Sequence, residues 1–453
     1  MNLADIPQLR YQSRRERFAR QLKAMGGGIA VVMTSPEVPR NRDSDFPYRW
    51  DSYFYYLTGF TEPESAVIIS TTDSGFTTTL FCREKNQERE IWDGYRFGPA
   101  AAKELFGVDE ALPISEFDAV LTKLMANQPN LLYPLGDGAA VEQRVTNALA
   151  AVRAQARAGI VAPKQMMDVR AIIDEMRLVK DNDEVAIMTR AAQISAQAHM
   201  RAMQSCKPGM FEYQVEAEML YLFKKHGSQF PAYSSIVAGG ANACVLHYRE
   251  NNAKLNSGDL LLIDAGCELD GYASDITRTF PVNGKFTAGQ RKLYDIVLAS
   301  QAAAVAATKP GATFNAPHEA AVNVLVQGML DVGLLKGSLS EALESGSYKR
   351  FYMHRTSHWI GMDVHDCGDY IEPGTPPSTD ATKPAVSNRI LHPGMMLTLE
   401  PGIYVRAADD IAHEFHNIGI RIEDDALVTN KGCDLLTKDV IKTANDIEQL
   451  MKN

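Results

Sequence analysis

The first 198 residues contain no histidine; all ten lie beyond them. Chemistry that needs imidazole therefore belongs to the later part of this 453-residue chain. No apolar run approaches the ~20 residues needed to cross a bilayer, so no membrane partner is expected. The six cysteines, at 82, 206, 244, 267, 367 and 433, form no Cys-x-x-Cys pair. A chain this long needs no disulfide staples, and a reducing, cytoplasmic setting is expected. Cys267 and Cys367 read as small buried hydrophobes. Beyond a basic N-terminal segment, basic residues are scattered rather than clustered, and the formal net charge is −10, which argues against a nucleic-acid footprint. There is no internal repeat.

What is present reads as two domains of mixed class. Arg10, Arg14, Arg15, Arg17 and Arg20 hint at a transit peptide, but Asp5 and Glu16 are acidic and a strand, Ile29–Met33, follows. A surface helix with Ser13 and Glu16 as its capping box is the expectation. Residues 1 to about 170 alternate strand-like runs (Ala30–Met33, Ala66–Ser70, Thr77–Cys82, Asn130–Tyr133) with helix-like stretches. The aromatic segment 43–56 reads as core packing plus an interface. A boundary near Asp168–Asp183 divides 1–174 from 175–453. Beyond it, caps around Asp181 open a long helix that stops at Lys207-Pro208-Gly209. Further helices are expected over Glu212–His226, from Thr287 to Lys309, and over Pro317–Leu330. The last third alternates strands and turns around a breaker-rich loop, 372–384, expected to lie in solvent. The fold class is α+β.

One stretch organises the second domain. Leu260-Leu-Leu-Ile-Asp264 is apolar until its last residue, the chain turns through Glu268-Leu-Asp-Gly271, and it returns through Asp275-Ile-Thr277. This reads as an antiparallel hairpin. With Leu269-Asp270 as the loop, Asp264 faces Asp275 directly; with Asp270-Gly271, the two are diagonal neighbours. In both registers they share one face, with Cβ atoms roughly 4.5–8 Å apart. Either aspartate alone reads as a turn cap or a solvated strand residue. Two on one face of an apolar hairpin repel one another, and a divalent cation resolves the conflict.

More ligands are therefore expected. Met353-His354-Arg-Thr-Ser-His358 through Val364-His365 holds three histidines in thirteen positions. No glutamate follows His354, so this is not an HExxH motif, and Gly361 with the strand-like Met362–Val364 argues against a helix. Met395–Glu400 ends an apolar strand on a glutamate before Pro401-Gly402. Gly419–Glu423 puts Arg421 and Glu423 on one face, which alone would read as an exposed ion pair. Together the candidates are Asp264, Asp275, His358, Glu400 and Glu423. Four carboxylates around one imidazole match two divalent ions better than one. Oxygen-rich donors favour Mn²⁺, with Co²⁺ or Zn²⁺ as substitutes. A metal pair ~3.5–4 Å apart would hold a hydroxide usable at neutral pH.

The Asp-x₁₀-Asp spacing followed by His, Glu and Glu resembles the pita-bread metallopeptidases. Tyr56-Leu-Thr-Gly-Phe-Thr-Glu-Pro-Glu64, Lys207-Pro-Gly-Met-Phe-Glu-Tyr213, Ile263–Glu268, Asp275–Pro281, Val364-His-Asp366 and Gly419–Glu423 are similar to the bacterial aminopeptidase P family. The resemblance runs nearly the whole chain. It implies an N-terminal α/β domain that builds a homotetramer, then a pita-bread catalytic domain that removes an N-terminal residue preceding proline. Asp264 would bind one metal, Asp275 and Glu423 would bridge, and His358 and Glu400 would complete the other, with Glu400 activating the water. His247, His354 and His365 would line the pocket, Arg421 and Tyr404 would support it, and Trp92 would reach a neighbour's pocket. Arg355 stands where relatives carry glycine, and the 372–384 loop looks longer than usual. The rival readings are a prolidase restricted to Xaa-Pro dipeptides, a metal-free binding module, and a hydrolase of organophosphate esters.

Overall fold

The computed structural model describes residues 8–136, 138–376 and 388–452. The chain divides into two units, Met1–Met176 and Arg177–Asn453. In the first, the strands are β1 (Ile29–Met33), β2 (Ala66–Thr71), β3 (Phe76–Cys82), β4 (Glu110–Pro113), β5 (Asn130–Tyr133) and β6 (Gln165–Asp168). Among the described residues they form a sheet in the order β4-β3-β2-β1-β5-β6. The apolar, β-branched runs supply its centre, where side chains pack on both faces. The helices are α1 (Gln8–Ala24), α2 (Ser52–Thr58), α3 (Gln87–Asp93), α4 (Gly98–Phe106), α5 (Phe117–Met125) and α6 (Ala139–Arg153).

Two expectations fail in α1. Ser13 and Glu16 lie inside the helix and so form no capping box. Nor is it a surface helix on its basic side, because Arg14 and Arg15 are buried. Arg15 donates to the Leu57, Phe106 and Gly107 carbonyls at 3.0, 3.1 and 2.7 Å, and the Arg14 guanidinium lies 4.2 Å from the Tyr56 ring centroid. A planar fork of donors suits the exposed carbonyl ends of two helices. Phe54, Tyr55 and Tyr56 of α2 are buried, which accounts for the later part of the aromatic segment as packing, while Phe46 in its earlier part is exposed.

The α7 helix (Arg170–Leu178) leads into the second unit. There α8 (Asn182–Ser205) starts with a capping box: Asp181 accepts from the Asp183 and Glu184 amides at 3.0 and 2.9 Å, and Glu184 accepts from the Asp181 amide at 2.9 Å. The α9 helix (Glu212–Lys225) follows. The strands then run β7 (Phe230–Pro231), β8 (Ile236–Gly239), β9 (Leu260–Asp264), β10 (Cys267–Leu269), β11 (Tyr272–Ala273) and β12 (Thr277–Pro281). Helices α10 (Ala288–Ala307), α11 (Ala316–Asp331) and α12 (Leu339–Ser345) precede β13 (Met396–Leu399), β14 (Gly402–Val405), β15 (Ile418–Arg421), β16 (Asp424–Val428), β17 (Cys433–Leu435) and α13 (Ala444–Leu450). Met362–Val364, expected as strand, is a series of bends. The 377–384 part of the breaker-rich loop lies outside the described residues.

The hairpin adopts the second of its two registers. Leu269 pairs with Tyr272, Glu268 with Ala273 and Asp264 with Thr277, so Asp264 and Asp275 are diagonal neighbours on one face. The turn decides this. Asp270 and Gly271 both have positive φ, +49° and +80°, the type I′ geometry that Asp-Gly favours. Helix α8 backs the ribbon with a polar stripe at helical spacing. Glu184 accepts from the Tyr272 hydroxyl at 2.9 Å, the Ala191 carbonyl from Cys267 Sγ at 3.4 Å, and Ser195 Oγ from the Cys267 amide at 2.9 Å. His199 Nε2 lies 2.9 Å from the Ala265 carbonyl. The strands cross so closely that a Cβ on Gly266 would sit 1.7 Å from the Ser274 carbonyl oxygen. Gly266→Ala is therefore expected to lower the melting temperature, by the ~1–3 kcal/mol typical of overpacking or more. An unchanged melting curve would show that the ribbon yields at this point.

Candidate metal centre

Five side chains from four separate segments converge at the middle of the ribbon, where β9 gives way to β10. Asp264 ends β9, and Asp275 precedes β12. Tyr233 joins them: its hydroxyl lies 2.6 Å from Asp264 Oδ1 and 2.5 Å from Asp275 Oδ1. His358 lies in an irregular stretch that pairs with β13, the Thr398 amide donating to its carbonyl at 3.0 Å and its own amide to Thr398 Oγ1 at 3.2 Å. Glu400 follows β13, with its amide bonded to the Thr356 carbonyl at 2.8 Å. Glu423 sits between β15 and β16, its amide bonded to the Thr277 carbonyl at 3.1 Å and its Oε2 accepting from Thr277 Oγ1 at 2.6 Å. Ligand atoms of Asp275, His358 and Glu423 lie within 4.8 Å of one another. His358 Nε2 is 3.5 Å from Asp275 Oδ2 and 3.7 Å from Glu400 Oε1.

A second layer holds these groups in place. Arg278, on the opposite face of β12, is fully buried and donates to the backbone carbonyls of Thr277 and Glu423 at 2.9 and 2.6 Å. It also pairs with Asp424 at 2.7 Å; Asp424 in turn accepts from Thr437, Gln301 and Lys442. The Asp275 amide donates to buried Asp425 at 3.0 Å. Arg421 donates to Asp264 Oδ2 at 2.6 Å, to Thr277 Oγ1 at 3.1 Å and to the Tyr404 hydroxyl at 2.9 Å. Tyr404 reaches His354 Nε2 at 2.9 Å, and His354 Nδ1 lies 2.7 Å from the Arg355 carbonyl. That carbonyl can only accept, so Nδ1 carries the proton and the Tyr404 hydroxyl donates to Nε2.

The carboxyls cannot all ionise on their own resources. Burial pushes Asp264 up to about 6 against the pull of Arg421, and Glu400 up to about 7 against His358 and Arg421. Burial and three neighbouring carboxyls drive Glu423 well above the usual range. Burial resists the ionisation of Asp275 too, but the His358 hydrogen bond and charge hold it low. Burial likewise opposes charging His358, yet Asp275 and Glu400 raise it to about 9. His354 falls to about 3, through burial first and then Arg421. A site this short of positive charge fits divalent cations. The donor chemistry agrees. His358 Nδ1 is 2.9 Å from the Trp359 carbonyl, which leaves the Nε2 lone pair facing the carboxylates, as metal-ligating histidines are commonly held.

The sequence profile of metallopeptidase family M24 matches residues 186–430, and that of the aminopeptidase P N-terminal domain matches residues 11–133. The chain belongs to metallopeptidase family M24. Over 450 residues this M24 chain is 42% identical to an Xaa-Pro aminopeptidase of Escherichia coli (strain K12), covering 99% of each. Its fold is similar to that of Pseudomonas aeruginosa aminopeptidase PepP, with a TM-score of 0.93 and 44% identity over 99% of this chain and 98% of that one. Zn-substituted E. coli aminopeptidase P in complex with product gives a TM-score of 0.93 at 41% identity, again over 99% and 98%. The expected N-terminal α/β domain followed by a pita-bread catalytic domain holds, and the M24 protein is a metallopeptidase, hence a hydrolase.

The structure gathers Asp264, Asp275, His358, Glu400 and Glu423, with Arg421, Tyr404 and His354 bonded around them. His365 stacks on His358 with ring centroids 4.0 Å apart. His247 is exposed on the loop after β8, near enough that its charge bears on both His354 and His365. Trp92 sits on α3 of the N-terminal unit, 83% exposed. The reading of Arg421 and Glu423 as an exposed pair fails, because both are buried beneath the strands they join. Tyr233 escaped notice, since a lone tyrosine ahead of a strand has no distinguishing spacing. Arg278 escaped because it points away from the aspartate face.

Protons and metal compete for Asp264 and Glu400. Each carboxyl binds a cation only when ionised, and both hold protons at higher pH than an ordinary carboxyl, so metal affinity must rise with pH. Dialysis at about pH 5 is expected to strip metal that is retained at about pH 8. Equal metal content at both, measured by plasma mass spectrometry, would contradict the assignment.

Proposed function

We propose that this chain removes the N-terminal residue from peptides with proline in second position, using two divalent ions held by Asp264, Asp275, His358, Glu400 and Glu423. The observation that carries this reading is the buried Asp275–His358–Glu423 cluster, flanked by Asp264 and Glu400. Its substrate rests on likeness to the Xaa-Pro aminopeptidase of E. coli across the full chain. Four carboxylates with one imidazole make Mn²⁺ the expected ion, with Zn²⁺ as a substitute. When bound, the pair supplies a hydroxide at neutral pH and a Lewis acid for the scissile carbonyl.

The rest falls to the protein. Glu400 orients the attacking water and accepts its proton. Arg421 holds Asp264 in place and, through Tyr404, fixes the ring of His354. His247 and His365 face the substrate with ring edges able to hydrogen-bond its carbonyl oxygens. The prolyl nitrogen has no N–H and leaves only when protonated, a task that suits Glu400 after it has taken the water's proton. Metal-bound carboxylates around the free α-amine account for exopeptidase action.

We also read residues 1–174 as the oligomerisation domain of a homotetramer. Ile91, Trp92 and Tyr95 expose 80, 83 and 93% of their surface within five positions, which favours a neighbouring copy covering them, with Trp92 at that copy's pocket. None of the six cysteines forms a disulfide, which suits a cytoplasmic location, and no described helix is long and apolar enough to cross a membrane.

Asp275→Asn and Glu423→Gln are each expected to reduce hydrolysis of an Xaa-Pro tripeptide in added Mn²⁺ by more than the ~10–100-fold typical of losing an outer-shell partner. Near-normal turnover in either would refute the shared-metal reading. Chain length separates this function from a prolidase: tripeptides and longer peptides should be cleaved at least as well as the Xaa-Pro dipeptide. Cleavage confined to dipeptides would reverse the assignment.

A further inference from the structure

Between β8 and β9 the chain runs with almost no regular structure. A single 3₁₀ turn, Gly240–Cys244, is followed by the open stretch that carries His247. One buried carboxylate fastens this loop from beneath. Glu212, the first residue of α9, is fully buried. Its Oε1 accepts from the Gly239 amide at 2.8 Å and from Asn242 Nδ2 at 3.0 Å. Its Oε2 accepts from the Tyr248 hydroxyl at 2.8 Å and from the Ala253 amide at 2.8 Å. The Glu212 amide adds a bond to the Ala253 carbonyl at 3.0 Å.

All four side-chain bonds thus go to one loop. One donor stands at its start, one in the 3₁₀ turn, one beside His247 and one near its end. Among the described residues no cation pairs with Glu212, so these donors alone offset the burial of its charge. The residue type is specific. Two donors on each oxygen require four acceptor positions, which a carboxylate has; an amide has one acceptor oxygen and presents N–H groups on the other side. Local geometry depends on the charge being there.

We propose that Glu212 is a positioning residue for the reaction: it sets His247 against the substrate by clamping both ends of the loop and Tyr248. This rests on the reading of His247 as a substrate-contacting group. Glu212 touches neither substrate nor metal ligand, so its effect must pass through His247.

A double-mutant cycle tests this, with kcat and KM for an Xaa-Pro tripeptide, metal content and melting temperature measured for Glu212→Gln, His247→Ala and the pair. Glu212→Gln is expected to lose ~10–100-fold in kcat/KM at full metal content. In the His247→Ala background the same change should cost less than about twofold, since there is nothing left to position. Losses that multiply, or parental kinetics in Glu212→Gln, overturn the proposal while leaving His247 in its role. Parental kinetics in His247→Ala overturn both. Should Glu212→Gln melt early or lose metal, Tyr248→Phe decides instead, because it removes one donor and keeps the carboxylate. A deficit that vanishes without His247 supports the clamp; no deficit, or one that persists, overturns it.

Discussion

Four carboxyl groups meet one imidazole at a largely buried site, and the catalytic unit is arranged around the repulsion this creates. In low dielectric, like charges a few ångströms apart force protonation or demand a compensating cation. The raised Asp264, Glu400 and Glu423 express the first outcome, and the donor geometry is suited to the second. Two side chains meet part of the demand: Arg421 lies against Asp264, and His358 stands between Asp275 and Glu400. The remainder is what a divalent pair provides.

A cluster under such strain stays assembled only if its backbone cannot relax. Arg278 answers this from the far face of β12, tying the carbonyls of Thr277 and Glu423, one beside each of the strands that present ligands. Its charge is matched by Asp424, which Lys442 and Gln301 also hold. On the other side of the hairpin, α8 turns a buried polar stripe toward it.

The histidine-bearing segments lack regular structure, so their shape comes from buried polar anchors instead. The stretch carrying His365 is fixed by Asp366, whose carboxylate meets Arg177 at 2.6 Å and Lys180 at 2.9 Å, all three buried. Burial opposes the ionisation of Asp366, but the two cations hold it below the usual range. Breaking such a triad strands an uncompensated charge, which typically costs several kcal/mol. The loop carrying His247 hangs on Glu212 in the same manner, without a counter-charge. Mobile-looking sequence is thus held rigid by a few buried ionisable groups.

Much of this was legible in one dimension. The apolar runs that became β1, β2, β3 and β5 and the caps at Asp181 and Thr287 act through neighbours a few positions apart, so composition and period determined them, whereas the hairpin turn was narrowed only to two registers. The same alternation put Asp264 with Asp275 on one face, and Arg421 with Glu423 on another. Tertiary structure alone decided that the Arg421–Glu423 face is buried, that Met362–Val364 bends instead of extending, and that Tyr233, Arg278 and Glu212 serve the site. The last three depend on distant partners, from 27 residues away for Glu212 with Gly239 to 163 for Arg278 with Ile441. A pattern of side chains records which face is apolar; which polar atom closes on which is set when distant segments pack, because a buried donor must find its acceptor wherever the fold brings one.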